Sequence, residues 1–274
     1  MTHQRMLALF AFLSTSAYGQ WLNYPTSGTP RTRDGKPNLA APAPRAPDGK
    51  PDLSGVWEPE LTPLSELTRV LGEHFADLQL DQRETTKYTV NLFWDLKPEE
   101  YPLRPEAVAI LKQRAQMSGP TLSCLPGGIP FTMLITPFKM VQAPREIVML
   151  FEHPDPPRQI HTDGRPLPKD PEPSWLGSST GTWQGKTLVV ETIGFNGKSW
   201  LDEFGHPLSE SMQLTERFYR RDFGHMDVEM TFDDPKYYTR PFKVKLPMRL
   251  IPDSDVLEDV CAENEKDRLH LERH

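Results

Sequence analysis

Three stretches of the chain carry side chains suited to catalysis or ligation. His161 and Asp163 lie in His-Thr-Asp-Gly-Arg. On a strand ending at Gly164 they project from one face, one pleat apart, so the carboxylate can orient or charge the imidazole. That pattern suits a general base or a pair of metal ligands. Its structural alternative is an Asp that caps a tight turn at Gly164. Asp202 and His206, in Asp-Glu-Phe-Gly-His, fall in a stretch from about 194 to 211 that is long for a connection between strands. Long ordered loops are disproportionately functional. If His161, Asp163 and His206 converge, they supply the donor types for a divalent metal with open positions. Glu216 alternates with Met212, Leu214 and Phe218, which places a carboxylate on an apolar strand face. Such a group must be paired or have its pKa raised. It is either a general acid or half of an ion pair with an Arg inside the fold. Glu152 and Glu191 end apolar runs and carry less weight as solvated strand-end charges, and His225 reads as a turn residue.

Several chemistries have no matching motif. The chain contains no Gly-x-Ser-x-Gly elbow, phosphate loop, dinucleotide fingerprint after a strand, or His-Glu-x-x-His helix. What remains is cofactor-free acid/base chemistry, an unusual metal site or simple binding, and no cofactor is assigned. With 38 acidic and 31 basic residues the net charge is −7, and Lys and Arg are scattered among carboxylates. This distribution argues against a nucleic-acid partner, which needs a concentrated basic surface. A small-molecule ligand or substrate is the expected partner, and the oligomeric state is left open.

The elements that must position these residues are mostly strands. Met1 to Gly19 has the Arg5, apolar run and small-residue site of a signal peptide cleaved before Gln20. No later stretch has the length and apolarity of a membrane span, so the mature chain is expected outside the cytoplasm. Cys124 and Cys261 form an even pair, which in an oxidising compartment favours a disulfide. Residues 20–50, rich in Pro and Gly, read as an extended arm in which Asp34-Gly-Lys-Pro-Asn-Leu39 is echoed by Asp48-Gly-Lys-Pro-Asp-Leu53. Residues 51–274 are expected as one β-rich domain with a helical insertion over about 62–117. One helix there carries Leu64, Leu67, Leu71 and Phe75 on its apolar face, the other Val108, Leu111 and Ala115.

Strands are expected at 53–57, 131–141, 145–152, 158–163, 177–183, 186–193, 212–221, 226–232, 242–250 and 256–263. Trp183 and Leu188 to Val190 flank a hairpin turn at Gln184-Gly185. Gly177 and Gly181, with Ser179 between them, leave one strand face nearly bare, open to a neighbouring strand or a ligand. The fold class is mainly β: an antiparallel meander closing into a barrel or curled sheet, lipocalin-like in build, with two N-terminal helices over a small-molecule cavity.

Pro51-Asp-Leu-Ser-Gly-Val-Trp57, His161 to Pro166, Trp175 to Thr192 with Gly194-Phe195, Trp200-Leu-Asp202, Thr215-Glu-Arg217, Asp233-Asp-Pro235 and Cys261-Ala-Glu-Asn264 form a distinctive set of short motifs. Together they resemble a widespread family of exported, β-rich bacterial proteins of unassigned function. The resemblance implies export and a β-rich body and brings no residue role. The leading functional expectation is acid/base chemistry on a small organic or carbohydrate-derived substrate. His161 would be the base, Asp163 its orienting partner, and Glu216 or His206 the acid. A carrier or sensor of a small apolar ligand is the alternative, and an envelope interaction module a third.

Overall fold

The computed structural model describes residues 24–71, 86–152 and 155–261. The expected signal peptide and Phe75 lie outside these residues. Nine strands among the described residues close into a barrel in sequence order. They are β1 (Gly55–Pro59), β2 (Phe138–Gln142), β3 (Glu146–Phe151), β4 (Arg158–His161), β5 (Ser178–Gln184), β6 (Thr187–Ile193), β7 (Gln213–Arg220), β8 (His225–Asp233) and β9 (Phe242–Leu250). The fold is a mainly β closed barrel, as expected, and one strand pair departs from the antiparallel meander. β4 and β5 run parallel, with Ile160 opposite Ser179 and His161 opposite Thr180. After His161 the chain meets Pro166, Pro168, Pro171 and Pro173, which lack the N–H a returning strand must donate. It therefore crosses back outside the sheet before β5 starts.

Two differently built ends result. One end has short turns, including the β5–β6 turn at Gly185-Lys186, one residue beyond the expected position, where Gly185 takes a φ of +62°. The N-terminal arm seals this end: Phe223 N–H donates to Ala41 O at 2.7 Å and Gly224 N–H to Leu39 O at 2.8 Å. The two echoed segments form matching hairpins, with Thr32 N–H on Lys36 O and Ala46 N–H on Lys50 O. Arg220 is buried there, donating from Nη1 to Asp52 O at 2.6 Å and lying 4.8 Å from the Trp57 ring. Burial pushes its guanidinium down to about 10, with the Asp52 and Asp222 charges opposing that shift.

The other end carries the long connections. Between β1 and β2 stand α1 (Leu64–Leu71), α2 (Lys87–Val90), α3 (Pro105–Arg114) and α4 (Phe131–Ile135). α3 turns Ala107, Ile110, Leu111 and Arg114 inward and leaves Val108 and Ala115 exposed, so the expected apolar face is rotated. α4 replaces the start of an expected strand. Phe131 to Leu134 are all buried, and such a run has no period-two signature to separate strand from helix.

The expected strand at 256–263 is also absent over its described part, through residue 261. A closed barrel has no free edge, and β9 already pairs with β1 and β8. Asp253, at φ +59°, turns the chain out of the sheet. Residues 251–261 then run as a strap over the outer wall. Lys139 Nζ donates to Asp255 at 2.7 Å, Leu257 N–H donates to Glu152 at 2.9 Å, and Cys261 is bonded to Cys124.

Inward side chains fill the barrel. Trp57, Phe138, Met149, Ile160, Leu188, Phe218, Met230 and Met248 are all fully buried in one contiguous cluster. Each such side chain contributes roughly 1.5–3 kcal/mol on removal from water. The barrel interior is occupied by these packed side chains.

Candidate functional site

The residues singled out by type and spacing occupy three separate places. Glu216 points into the barrel from β7, as its alternation required. Its partner is Arg158, the first residue of β4, and the two side chains are 0 and 1 % exposed. Arg158 Nη1 donates to Glu216 Oε1 at 2.9 Å, and Nη2 donates to Oε2 in a short second bond. Nη2 also donates to Thr192 Oγ1 at 2.9 Å, while Nε donates to Ser179 Oγ at 3.3 Å. This is a bidentate pair whose remaining donors go to two hydroxyls and to the Met149 sulfur. Arg158 and Ile160 are both buried on β4 with exposed Gln159 between them.

The bare face of β5 receives neighbours rather than a ligand. A Cβ at Gly181 would stand 3.1 Å from Ile160 and Leu188 side chains, and Gly177 adopts a φ of +65°.

Asp202 and His206 form a second, compact pair at the looped end. Their connection turns back on itself through the Trp200–Pro207 bridge and Gly205, which has a φ of +83°. Asp202 Oδ2 lies 2.6 Å from His206 Nδ1 and accepts the Leu92 N–H at 2.8 Å; Oδ1 accepts the His206 N–H. With Nδ1 facing the carboxylate as donor, Nε2 has the lone pair of a base. No described residue hydrogen bonds to Nε2. The ring is 2 % exposed and packs edge-on against Phe93 at 4.7 Å, with Tyr101 beyond. Beside it, burial pushes the Glu203 carboxyl up, reinforced by the Asp202 charge. The Asp202 bonds also fasten the helical connection to the β6–β7 loop, so the pair has a structural duty in either case.

His161 and Asp163 fall at a third place, and they do not bond to each other. β4 ends at His161, and Asp163 belongs to the turn that follows. Arg165 grips the Asp163 carboxylate with Nε at 3.0 Å and Nη2 at 2.7 Å, and Arg145 adds a contact at 3.5 Å. Arg165 holds this carboxyl well below the usual carboxylate range. His161 projects opposite to the buried Ile160, on the outer wall, and no described side chain hydrogen bonds to its imidazole. It is not on an empty surface, however. The crossover at residues 162–177 arches over the outer faces of β4 and β5 and encloses a groove of about 510 Å³. His161, Gln159, Ser178 and Thr180 form its strand side, while Arg165 and Trp175 belong to the crossover. The proline run at 166–173 was the sequence sign of this arch, but the path it took was not.

The three expected metal donors are thus divided. His206 is in the β6–β7 loop at one end of the barrel, whereas His161 and Asp163 are at the end of β4. Among the described residues no group of three or more His, Cys, Asp or Glu side chains is arranged to hold a metal ion. Glu152 receives the strap at Leu257, and His225 Nδ1 lies 2.7 Å from Asp222 in a turn. No described helix is long and apolar enough to cross a membrane. Comparison of the chain with family models, with curated proteins and with solved structures returned no significant match.

Proposed function

We propose that this is an exported protein that recognises a small polar molecule in the groove between the outer wall of β4–β5 and the crossover, with His161 as an uncommitted contact. One observation carries the reading: the groove is preformed, has a volume of about 510 Å³ and brings His161 beside Gln159, Ser178 and Thr180. Ligand sites of this size commonly combine an apolar lining with a few orienting polar groups. The packed barrel interior makes carriage of an apolar ligand in the lumen the weaker reading. Export is supported by the Cys124–Cys261 disulfide, a bond characteristic of oxidising compartments. A library of polar metabolites, screened by thermal shift and then by chemical-shift mapping, tests the groove. Thr180→Tyr, which fills it from the strand side, should abolish the response of any binder. A binder whose response is unchanged in that variant places recognition elsewhere.

Acid/base turnover has one specific observation in its favour, at another place. His206 is oriented by buried Asp202, and no described residue hydrogen bonds to Nε2, the atom a general base would use. If the chain turns over any compound of that library, whether or not the compound binds the groove, His206→Gln should abolish turnover.

A further inference from the structure

We infer that the groove beside His161 takes a polyhydroxylated anion, of the class of sugar acids and sugar phosphates. The inference rests on the groove being the ligand site and adds the chemistry of what enters it.

Charge is the first argument. The chain carries 38 carboxylates against 31 basic residues. No described Asp or Glu side chain lines this groove, while Arg165 and His161 both do. Three carboxylates border the groove without lining it: Glu146 stands opposite His161 in the β3–β4 register, Glu191 stands opposite Thr180 in the β5–β6 register, and Asp163 is engaged by Arg165 and Arg145.

Geometry is the second argument. A guanidinium has five N–H donors in a flat fork. Asp163 occupies the Nε and Nη2 edge of Arg165, and no described residue accepts from Nη1. The outer edge is therefore available, with the planar spacing that matches a second carboxylate or a phosphate. Asp163 holds the arginine in place, so little side-chain entropy remains to be lost on binding.

The rest of the lining suits hydroxyl groups. Gln159 on β4 and Ser178 and Thr180 on parallel β5 present an amide and two hydroxyls, which both donate and accept. Trp175 and the prolines supply flat apolar surface for the C–H face of a pyranose ring. A simple inorganic anion would use the arginine and leave this polar strand side unsatisfied.

The test is isothermal titration of the disulfide-intact mature chain with D-glucuronate, D-glucose 6-phosphate and D-glucose. At least one anion should bind tenfold or more tightly than glucose, and the two anionic arms separate carboxylate from phosphate recognition. Arg165→Gln should bring the anion to the level of glucose. Arg145→Gln, which removes the other cation on Asp163 without touching the groove, should weaken binding less than twofold. Equal binding of glucose and both anions overturns the inference while leaving the groove as a site, and so does an equal loss in the two arginine variants. If the three sugars fail but another polar compound binds and is blocked by Thr180→Tyr, the ligand class is wrong and the site stands. If no compound of any class responds to Thr180→Tyr, the site itself is lost.

Discussion

Two arginines forked onto carboxylates, Arg158 on Glu216 and Arg165 on Asp163, sit in opposite surroundings. Arg158 and Glu216 are sealed in the barrel at 1 and 0 % exposure, and hydroxyls of Ser179 and Thr192 meet the guanidinium's other donors. Arg165 and Asp163 sit on the outer wall, with the arginine 52 % exposed and one edge of its fork unused. Complete satisfaction makes the inner pair a structural element, because any new contact there would have to break an existing one. The outer pair holds its arginine in place and leaves it able to bond. Two carboxylates singled out by residue type thus have different meanings: Glu216 is spent on the core, and Asp163 positions a neighbour that remains available.

Breaking the inner pair should give the largest effect. Glu216→Ala strands a buried guanidinium, and removal of one partner of such a pair costs about 3–5 kcal/mol. Chemical denaturation measures this, and the double variant Arg158→Met with Glu216→Leu should recover most of the loss, because apolar replacement of both partners is often neutral. A single-variant cost no greater than that of a surface substitution would erase the distinction between the pairs.

Replacing Cys124 and Cys261 together by Ser comes next. The bond spans a sequence separation of 137 and ends the outer strap, and loss of a native crosslink costs roughly 2–5 kcal/mol. Unfolding midpoints of the double serine variant, compared with the oxidised parent, check it. His206→Phe should cost less, on the order of 1–3 kcal/mol, by leaving the buried Asp202 carboxylate short of a partner. Hydrogen exchange at Leu92 and at the neighbouring α2 should rise in parallel.

Asp163→Asn should perturb stability least, since its partners are exposed. Its signature is in the pH dependence. Arg165 holds the folded-state pKa below that of the unfolded chain. The carboxylate therefore contributes stability above the unfolded value, about 3.9, which is lost as pH falls through the folded value. The melting-temperature difference between parent and Asp163→Asn should be greatest near neutral pH and shrink in acid. Ligand affinity should fall more than stability does, because the released Arg165 is no longer held toward the groove. An Asp163→Asn variant with parental affinity would break the positioning role.

Much of this was legible locally. Alternation in Met212 to Phe218 turned Glu216 inward, and the same period separates buried Arg158 and Ile160 from exposed Gln159. At α3 the expected face of Val108, Leu111 and Ala115 is not the observed one, because packing turns Ala107, Ile110, Leu111 and Arg114 inward. His161 and Asp163 looked like partners because a longer strand would have aligned them. The strand stops at His161, and an arginine two residues past Asp163 takes the carboxylate in a two-pronged contact that the imidazole cannot offer.

The sequence by itself determined which faces of the strands are apolar, that an even pair of cysteines suited a disulfide, and that a buried carboxylate on β7 required a partner. These follow from periodicity and from the cost of an unpaired charge, which need no knowledge of neighbours. Only the tertiary structure decided that the partner is Arg158, 58 residues away, that β4 and β5 run parallel, and that the crossover arches over His161 to enclose a groove. Those facts depend on register and closure. A closed barrel admits one set of neighbours for each strand, and that set is chosen by all nine strands together.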